Sequence, residues 1–331
     1  MSNQQVFGGV LCEEPFIFLG KRMPAMDNDL GLMSFRPDLF RDRPSLSLLT
    51  LGHTYEPDYM IRALVRDMDE ARREFPLAQF VMLANTPRED ELFREAGLRS
   101  LLASELMFGN IANYRLPEFR SEKRFDAVYV GRLAPEKRHE LAAKVPSLLC
   151  LYFRATHEEL DTCRALLPHA VFGNHDFNDD EYRLLLGEDY LEAVDSACVG
   201  LCLSAAEGAM RASIEYQLCG LPVVSTPSLG GRDRYLHHKY ARIVDATPEA
   251  VAAATAELKA AQFDPAEIRA NAVRLLEEDR AKFLEDLRVI LAESFGSDAP
   301  RIDSFDLLEA AKTQMTRPVP DVLIPVLGRV A

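Results

Sequence analysis

The sequence lacks the features of several large protein classes. Its 331 residues carry 38 Lys and Arg against 52 Asp and Glu, so the net charge of -14 provides no basic footprint for nucleic acid. The opening stretch MSNQQVFGGV has no basic region followed by an apolar core, and no apolar run approaches the roughly 20 residues that span a bilayer. We therefore expect no nucleic-acid partner, no signal peptide and no transmembrane segment.

Cysteine is scarce and scattered. The sequence contains no Cys-x-x-Cys pair and no Cys/His array with zinc spacing. Several cysteines lie in apolar runs such as LLCLYF and ACVGLCLS, where a free thiol behaves as a small hydrophobic side chain. We expect reduced thiols in the core of a cytoplasmic protein. The six cysteines are Cys12, Cys150, Cys163, Cys198, Cys202 and Cys219.

The best-known catalytic motifs are also missing. No G-x-G-x-x-G follows a strand pattern, and neither G-x4-G-K-[ST], H-E-x-x-H nor G-x-S-x-G occurs. These absences argue against a dehydrogenase, a P-loop NTPase, a zincin and an α/β-hydrolase. No convincing D-x-D ligand pair is present, because NDDEY is better interpreted as the start of a helix. We expect neither a metal ion nor a cofactor.

What the sequence does contain is a regular alternation of apolar strand patterns and amphipathic helix patterns. In the first part they are SLSLLTLG, DYMIRALVRDMDEARREF, QFVMLAN, PREDELFREAGL and RSLLASEL. After the polar stretch RLPEFRSEKR the alternation starts again with the strand RFDAVYVG and the helix PEKRHELAAKV. This rhythm is typical of doubly wound parallel sheets. The predicted fold is α/β with two Rossmann-like domains, residues 1–120 and 125–300, the first of them short and atypical.

The remaining patterns complete the second domain. Helices are predicted for NDDEYRLLLGEDYLEAVDSA and GAMRASIEYQLC, and strands for CVGLCLS and LPVVST. A long helix after Asp264 has one apolar face, because its apolar residues recur close to helical spacing. We expect residues 301–331 to form a helix and tail that pack back on the first domain. The residues of the apolar face are Ile268, Ala272, Leu275, Phe283, Leu287 and Ile290.

One candidate binding site follows the first strand of the second domain. In the stretch VGRLAPEKRHE, Gly131 ends the strand, while Arg132 and Lys137 flank the predicted start of the next helix. Two cations beside a helix N-terminus form an anion site suited to phosphate, and ligands bind beyond the carboxyl ends of strands in open α/β sheets. The alternative is that both cations are solvated surface residues.

A second candidate site is the pair Glu207 and Glu215. Their spacing of eight residues corresponds to about two helical turns, or roughly 12 Å of rise. That distance is comparable to the span between the hexose and the ribose of a nucleoside diphosphate sugar. A carboxylate can accept two O–H groups and so suits a vicinal diol. The alternative is a capping acid at Glu207 and a half-exposed Glu215 beside the apolar stripe of its helix.

Three segments together resemble a known family. EGAMRASIE has the form E-x7-E, VGRLAPEK has the form G-R-x4-K, and CGLPVVSTPSLGG follows in the same order. They resemble the donor-binding domain of GT-B glycosyltransferases, especially the retaining enzymes of family 4, over roughly residues 125–260. The resemblance implies two Rossmann-like domains facing a cleft. It also implies that Arg132 and Lys137 hold a donor diphosphate, Glu215 the ribose and Glu207 the transferred sugar.

The resemblance implies further contacts with the donor. Backbone N–H groups of Gly208 and Ala209 would lie near the phosphate or the sugar. The turn at Gly230 and Gly231 would lie near the sugar, although it can equally be only a tight turn. Two further predicted donor contacts come from other parts of the sequence. Asn174 and His175 would lie by the base, and His53 would face the cleft near the donor sugar unless it merely packs at a strand end.

The resulting functional hypothesis is a glycosyltransferase. It would move a sugar from a nucleoside diphosphate sugar of UDP or GDP type to an unidentified glycan, lipid or protein, with retention and without metal. Fixed cations could stabilise the leaving diphosphate in place of a metal ion. The oligomeric state is left open. The alternatives are a non-catalytic transferase-like subunit, suggested by the short first domain, and a nucleotide-sugar epimerase; the intact set Arg132, Lys137, Glu207 and Glu215 weighs against the first.

Overall fold

The chain forms two compact units, seen in a computed structural model that describes residues 5–6, 8–22, 30–118, 122–153, 155–306, 308 and 317–318. The first unit comprises residues 1–110 and 277–331, and the second comprises residues 111–276. The sequence placed the division between residues 120 and 125. In the structure the chain enters the second unit at residue 111 and returns to the first unit at residue 277.

The first unit is built on a five-stranded sheet in the order β2-β3-β4-β5-β6, parallel except for β2. A two-residue antiparallel pair, β1 with β15 (Arg317–Pro318), lies outside this sheet. The elements before residue 110 are β1 (Gln5–Val6), β2 (Gly8–Cys12), β3 (Phe16–Arg22), α1 (Leu32–Phe35), α2 (Asp38–Arg41), β4 (Ser45–Leu51), α3 (Asp58–Glu74), β5 (Ala78–Ala84), α4 (Pro87–Glu95), β6 (Ser100–Leu102) and a 3-10 turn at Glu105–Phe108.

Consecutive strands of this sheet are neighbours, and that order decides which face each helix covers. Right-handed crossovers in one direction place successive helices on the same side. Side chains of α1 to α4 accordingly share one apolar cluster with Phe16, Phe18 and Leu49. Alternate residues such as Ile17 and Leu48 point to the other side and are also fully buried. That second face therefore needs a cover from elsewhere in the chain.

The cover is the C-terminal half of α9 (Pro265–Phe295). Ser294 donates a hydrogen bond of 2.9 Å to the Gln79 side chain, which lies on the second face of β5. Phe283 packs edge-on against Phe108 and Phe305, with ring centroids 5.9 and 6.2 Å away. Phe305 thus packs on the first unit, and residues 307, 309–316 and 319–331 of the predicted helix and tail lie outside the described residues. On α9 itself Leu276 is fully buried, one position from the predicted Leu275.

The second unit contains a six-stranded parallel sheet in the order β14-β13-β12-β7-β8-β9. The chain builds outward from β7 on one side and then returns to build outward from β12 on the other. Its elements are β7 (Phe125–Val130), β8 (Leu148–Leu151), α5 (His157–Leu166), β9 (Val171–Phe172), β10 (His175–Asp176), β11 (Glu181–Tyr182), α6 (Gly187–Asp195), β12 (Ala197–Cys202), α7 (Arg211–Leu218), β13 (Val223–Ser225), β14 (Ala241–Ile243), α8 (Pro248–Ala261) and the start of α9.

The structure corrects three predicted helices in this unit. The stretch PEKRHELAAKV forms two 3-10 turns, Pro135–Lys137 and His139–Ala142, because Arg138 between them adopts a left-handed conformation with φ of 52°. The helix predicted from NDDEY begins only at Gly187, since residues 175–182 form the hairpin of β10 and β11. Helix α7 begins at Arg211, later than predicted.

The overall class nevertheless agrees with the sequence analysis, since both units are α/β with mainly parallel sheets. The five-stranded sheet of the first unit follows the order of its strands along the chain. In the described part of the chain, no helix combines the length and the apolar character needed to cross a membrane.

The role of α9 as a cover predicts unequal effects of two substitutions on the same helix. Phe283 is 1% exposed and Val289 is 57% exposed. Phe283→Ala should lower the free energy of unfolding by about 3–5 kcal/mol, because it removes a buried ring and leaves a cavity. Val289→Ala should change it by less than about 0.5 kcal/mol. Urea titration followed by circular dichroism measures both, and equal effects would contradict the proposed packing.

Candidate functional site

The second unit has one place where its strand order reverses, between β7 and β12. The chain leaves these adjacent strands in opposite directions across the sheet, so a crevice opens beyond their carboxyl ends. Residues after β7 and after β12 enter this crevice. They include Gly131, Lys137, Ser204 and Glu207, of which the sequence predicted all but Ser204.

An ion pair joins the two strand ends. Lys137 Nζ lies 2.7 Å from Glu207 Oε1, and the side chains are only 14% and 15% exposed. The Tyr129 hydroxyl donates to the backbone carbonyl of Lys137 and fixes the turn that carries it. A Cβ atom at Gly131 would lie in ordinary contact with the Lys137 side chain, 3.8 Å away. The residues predicted to bind phosphate and sugar are therefore direct partners here.

The backbone around Glu207 is held by the Gly-Gly turn. Glu207 N–H donates to the Leu229 carbonyl at 3.1 Å, within a parallel bridge between Ala206 and Leu229. Gly230 has φ of 104°, and a Cβ there would lie 1.5 Å from the Glu207 carbonyl oxygen. Only glycine therefore fits at this position. Gly231, with φ of 84°, begins the following 3-10 turn.

A run of backbone N–H groups follows Glu207. Helix α7 has no side-chain cap, and its first backbone hydrogen bond runs from Ser213 N–H to the Met210 carbonyl at 3.0 Å. No acceptor among the described residues contacts the N–H groups of residues 208–212, which include the predicted Gly208 and Ala209. Because Gly208 and Met210 are buried, these donors need a partner that the protein does not provide. Such a cluster at a helix start is suited to an anion.

Arg132 lies apart from this ion pair. Its guanidinium is 53% exposed and contacts Glu136 Oε1 at 2.7 Å, an i,i+4 pair on the surface. The two cations predicted to act together thus have different partners. The prediction of a helix N-terminus beside these two cations is wrong, because the 3-10 turn at Pro135–Lys137 is too short to supply a helix dipole.

Glu215 lies on α7 and is held by two tyrosines. Tyr190 donates a hydrogen bond of 2.9 Å to Glu215 Oε2, and the Tyr114 hydroxyl also interacts with the carboxylate. Burial raises the pKa of Glu215 above 4.5, and the two tyrosine hydrogen bonds only partly oppose that effect. Because α7 starts at Arg211, Glu207 and Glu215 do not share one two-turn helix, and the 12 Å rise argument does not apply.

The two residues predicted to lie by the base occupy the far edge of the sheet, after β9. Asn174 Oδ1 accepts from Tyr152 N–H at 3.1 Å, and its Nδ2 donates to the Tyr152 carbonyl at 2.6 Å. His175 Nδ1 lies 2.7 Å from the Tyr152 hydroxyl, and Nε2 lies 3.2 Å from Asp180 Oδ1. Both polar atoms of the Asn174 side chain thus make structural hydrogen bonds. His175 could exchange its contact with the exposed Asp180 for a contact with a ligand.

His53 belongs to the first unit. It is exposed and follows β4 closely, and its Nδ1 accepts a hydrogen bond of 3.0 Å from Thr54 N–H. This is the strand-end position that the sequence predicted.

Two arginines whose side chains donate to residues just after the strand ends were missed by sequence reasoning. Arg138 donates to the Leu203 carbonyl at 2.6 Å and to Thr226 Oγ1 at 2.7 Å, and burial lowers its pKa. Arg232 is 2% exposed and donates to the ends of β12 and β13. Nothing in the local pattern marks either residue as a donor to the strand ends, since charged residues in loops are normally solvated.

The described residues contain no group of three or more His, Cys, Asp or Glu side chains arranged to hold a metal ion. The candidate site is instead built from Lys137, Glu207, the free N–H groups after Glu207 and the neighbouring Glu215. Its donors favour an anion, and its two carboxylates favour hydroxyl groups.

Comparison with known proteins supports the fold. The chain matches no protein-family model and no curated protein. Among solved structures it is similar to TarM, with a TM-score of 0.53 and 12% identity over 81% of this chain and 54% of TarM. It is also similar to sucrose-phosphate synthase from Thermosynechococcus elongatus, with a TM-score of 0.53 and 14% identity over 84% of this chain and 74% of that one.

A third similar structure is the pneumococcal O-GlcNAc transferase GtfA in complex with UDP and GlcNAc. Its TM-score is 0.53 at 14% identity, and the alignment covers 80% of this chain and 60% of GtfA. The chain thus spans little more than half the length of TarM and GtfA. At these identities the likeness establishes the GT-B fold, as the sequence predicted.

The burial of Glu215 predicts a pH-dependent effect of Glu215→Gln. Because its pKa is raised in the folded protein, the stability it contributes is present at pH below about 4.5 and is lost as the pH rises. The unfolding midpoint of Glu215→Gln relative to wild type should therefore rise between pH 4 and pH 7. Glu188→Gln is the control, since Glu188 is 58% exposed in a surface pair with Arg115. A Glu215→Gln difference that falls with pH would contradict this account.

Proposed function

We propose that the protein is a glycosyltransferase whose second unit binds a nucleoside diphosphate sugar. The observation that carries the proposal is the set of anion donors at the strand-order reversal. Lys137 lies beside a carboxylate, Glu207, in the crevice where α/β sheets bind ligands. The N–H groups of residues 208–212 follow it and have no acceptor in the part of the chain that the structure describes. The GT-B fold and the similarity to GtfA, which is named an O-GlcNAc transferase, support the same function.

The diphosphate occupies the N–H groups after Glu207 and the ammonium of Lys137. On binding, Lys137 exchanges part of its contact with Glu207 for phosphate oxygen, which keeps its charge paired throughout. Arg132 swings from Glu136 towards the same phosphates, a motion that its exposed position permits. Negative charge grows on the diphosphate as the glycosidic bond breaks, so these fixed donors lower the barrier without a metal ion.

Glu215 accepts hydrogen bonds from the ribose diol, and His175 and Asn174 lie on the side of the base. The tyrosines that hold Glu215 keep its carboxylate ordered until the ribose arrives. Glu207, with the turn at Gly230 and Gly231 behind it, binds the transferred sugar. The reaction proceeds with retention at the anomeric carbon.

The proposed base is uracil, because one similar structure carries UDP. The acceptor is a glycan, lipid or protein. The low identity to all three similar structures leaves the sugar open to experiment.

A thermal-shift panel tests the proposal directly. The panel contains UDP, GDP, ADP and dTDP, each alone and as its glucose ester, together with UDP-GlcNAc and GDP-mannose, all in EDTA. A ligand at 100 times its Kd stabilises the folded protein by about 2.7 kcal/mol, so UDP compounds should raise the unfolding midpoint by several degrees. A panel without any shift would contradict the donor site, and a shift that requires added magnesium would contradict metal independence.

The assignment of the diphosphate predicts a difference between two lysines. Lys137→Ala should weaken UDP binding about tenfold or more, because a charged hydrogen-bonding partner is lost. The control is Lys144→Ala, since Lys144 is an exposed cation paired with Glu249 just before β8, at the opposite end of the strands. Isothermal titration should find UDP affinity unchanged in the control. Equal affinity in both variants would remove Lys137 from the site.

The ribose assignment predicts selectivity for the diol. Glu215→Gln should weaken UDP about tenfold or more but leave 2′,3′-dideoxy-UDP nearly unaffected. Wild type should bind the dideoxy compound weakly, and Glu188→Gln should behave as wild type with both ligands. Loss of the same factor for both compounds in Glu215→Gln would show that this glutamate does not contact the ribose.

A further inference from the structure

Arg232 is a buried cation with an unusual set of partners. Its Nε donates to Ser225 Oγ at 3.0 Å, its Nη1 to Ser204 Oγ at 2.7 Å, and its Nη2 to the carbonyls of Ser204 and Thr226 at 2.9 and 2.8 Å. None of these acceptors is charged, and no carboxylate of the described residues forms an ion pair with the guanidinium. The neighbouring Asp233 carboxylate interacts with Arg232 only electrostatically, so the buried guanidinium depends on these neutral acceptors for its hydrogen bonds.

The hydroxyl of Ser204 links this cation to Glu207. A guanidinium can only donate hydrogen bonds, so Ser204 Oγ must accept from Arg232. The single proton of that hydroxyl is then available for Glu207 Oε1, to which it donates a short hydrogen bond. The direction of the chain is therefore fixed, from Arg232 through Ser204 to Glu207.

Both donors to the Glu207 carboxylate meet on the same oxygen. Ser204 Oγ and Lys137 Nζ contact Oε1, and no donor among the described residues contacts Oε2. The backbone of Glu207 is held independently by the Leu229 carbonyl and by the close approach of Gly230. The carboxylate is thus fixed on one side and leaves a single oxygen available.

We propose that Arg232 is a positioning residue that acts through Ser204, and that it orients Glu207 so that Oε2 accepts a hydroxyl group of the transferred sugar. This inference rests on the donor site proposed above. When the diphosphate draws Lys137 away, the Ser204 hydroxyl remains on Oε1. The Arg232–Ser204 pair therefore preserves the orientation of Glu207 at the stage when the sugar is bound.

Two serines provide a matched test, because Arg232 donates to both and only one reaches Glu207. Ser204 and Ser225 are both buried, and each hydroxyl accepts one hydrogen bond from Arg232. Ser225 passes its proton to the Thr226 carbonyl, whereas Ser204 passes its proton to Glu207. Ser204→Ala and Ser225→Ala therefore make equal deletions in the Arg232 network, but only Ser204→Ala interrupts the link to the carboxylate.

The measured quantity is the contribution of the sugar to binding. Isothermal titration gives the Kd of UDP, GDP, ADP and dTDP and of their glucose esters, with UDP-GlcNAc and GDP-mannose added. For the sugar ester that binds wild type most tightly, the ratio of diphosphate Kd to ester Kd defines this contribution. Ser204→Ala should reduce the ratio about tenfold and leave the Kd of the diphosphate alone unchanged. Ser225→Ala should leave both unchanged.

The possible outcomes separate the inference from the proposed function. A ratio that is unchanged in Ser204→Ala, or reduced equally in both variants, overturns the positioning role while the donor site stands. The positioning role also fails, with the donor site intact, if wild type binds a diphosphate without any gain from a sugar. If wild type binds none of these compounds, the proposed function fails and the inference fails with it. Arg232→Lys supplies a second test, since it keeps the charge but cannot make all four bonds, and it should lower the ratio in the same way as Ser204→Ala.

Discussion

The reversal of strand order between β7 and β12 is the constraint on which the second unit depends. Two adjacent parallel strands send their chains to opposite sides of the sheet, so no crossover covers the space beyond their ends. Polar groups in this space must therefore form hydrogen bonds or ion pairs with one another or bind a ligand. Lys137 and Glu207 satisfy one another, and the N–H groups of residues 208–212 remain without an acceptor in the described structure.

Two arginines contact the chain just after the strand ends of the site. Arg138 and Arg232 donate to carbonyl groups of Leu203, Ser204 and Thr226, which directly follow β12 and β13. Backbone carbonyls at strand ends have lost their ladder partners, so a guanidinium with several fixed donors satisfies them efficiently.

Much of the fold could be predicted from the sequence, because buried parallel strands are continuous apolar runs. The runs SLSLLTLG and RFDAVYVG predicted the bounds of β4 and β7 to within one residue at each end. The helices at the site could not be predicted as well. PEKRHELAAKV has helix-forming residues, but the left-handed Arg138 divides it into two turns so that its side chain can reach Leu203 and Thr226. The start of α7 was missed because Glu207 pairs with Leu229, a residue far along the chain. Tertiary contacts determined the structure in both cases, and no local sequence pattern contains them.

The same limit applies to the prediction of the site residues. The patterns around Lys137 and Glu207 predicted that both residues follow strands, as they do after β7 and β12, whereas Arg232 and Ser204 became visible only through their hydrogen bonds.

The central claim is that an anionic nucleotide binds at the carboxyl ends of β7 and β12. Titration of glycine-labelled protein with UDP, followed by amide NMR, tests it most directly. The account predicts that the amide resonance of Gly208 shifts strongly, that those of Gly131 and Gly230 respond, and that those of Gly97 and Gly187, which lie in open turns, do not. Saturable binding that leaves Gly208 and Gly131 unperturbed would contradict it.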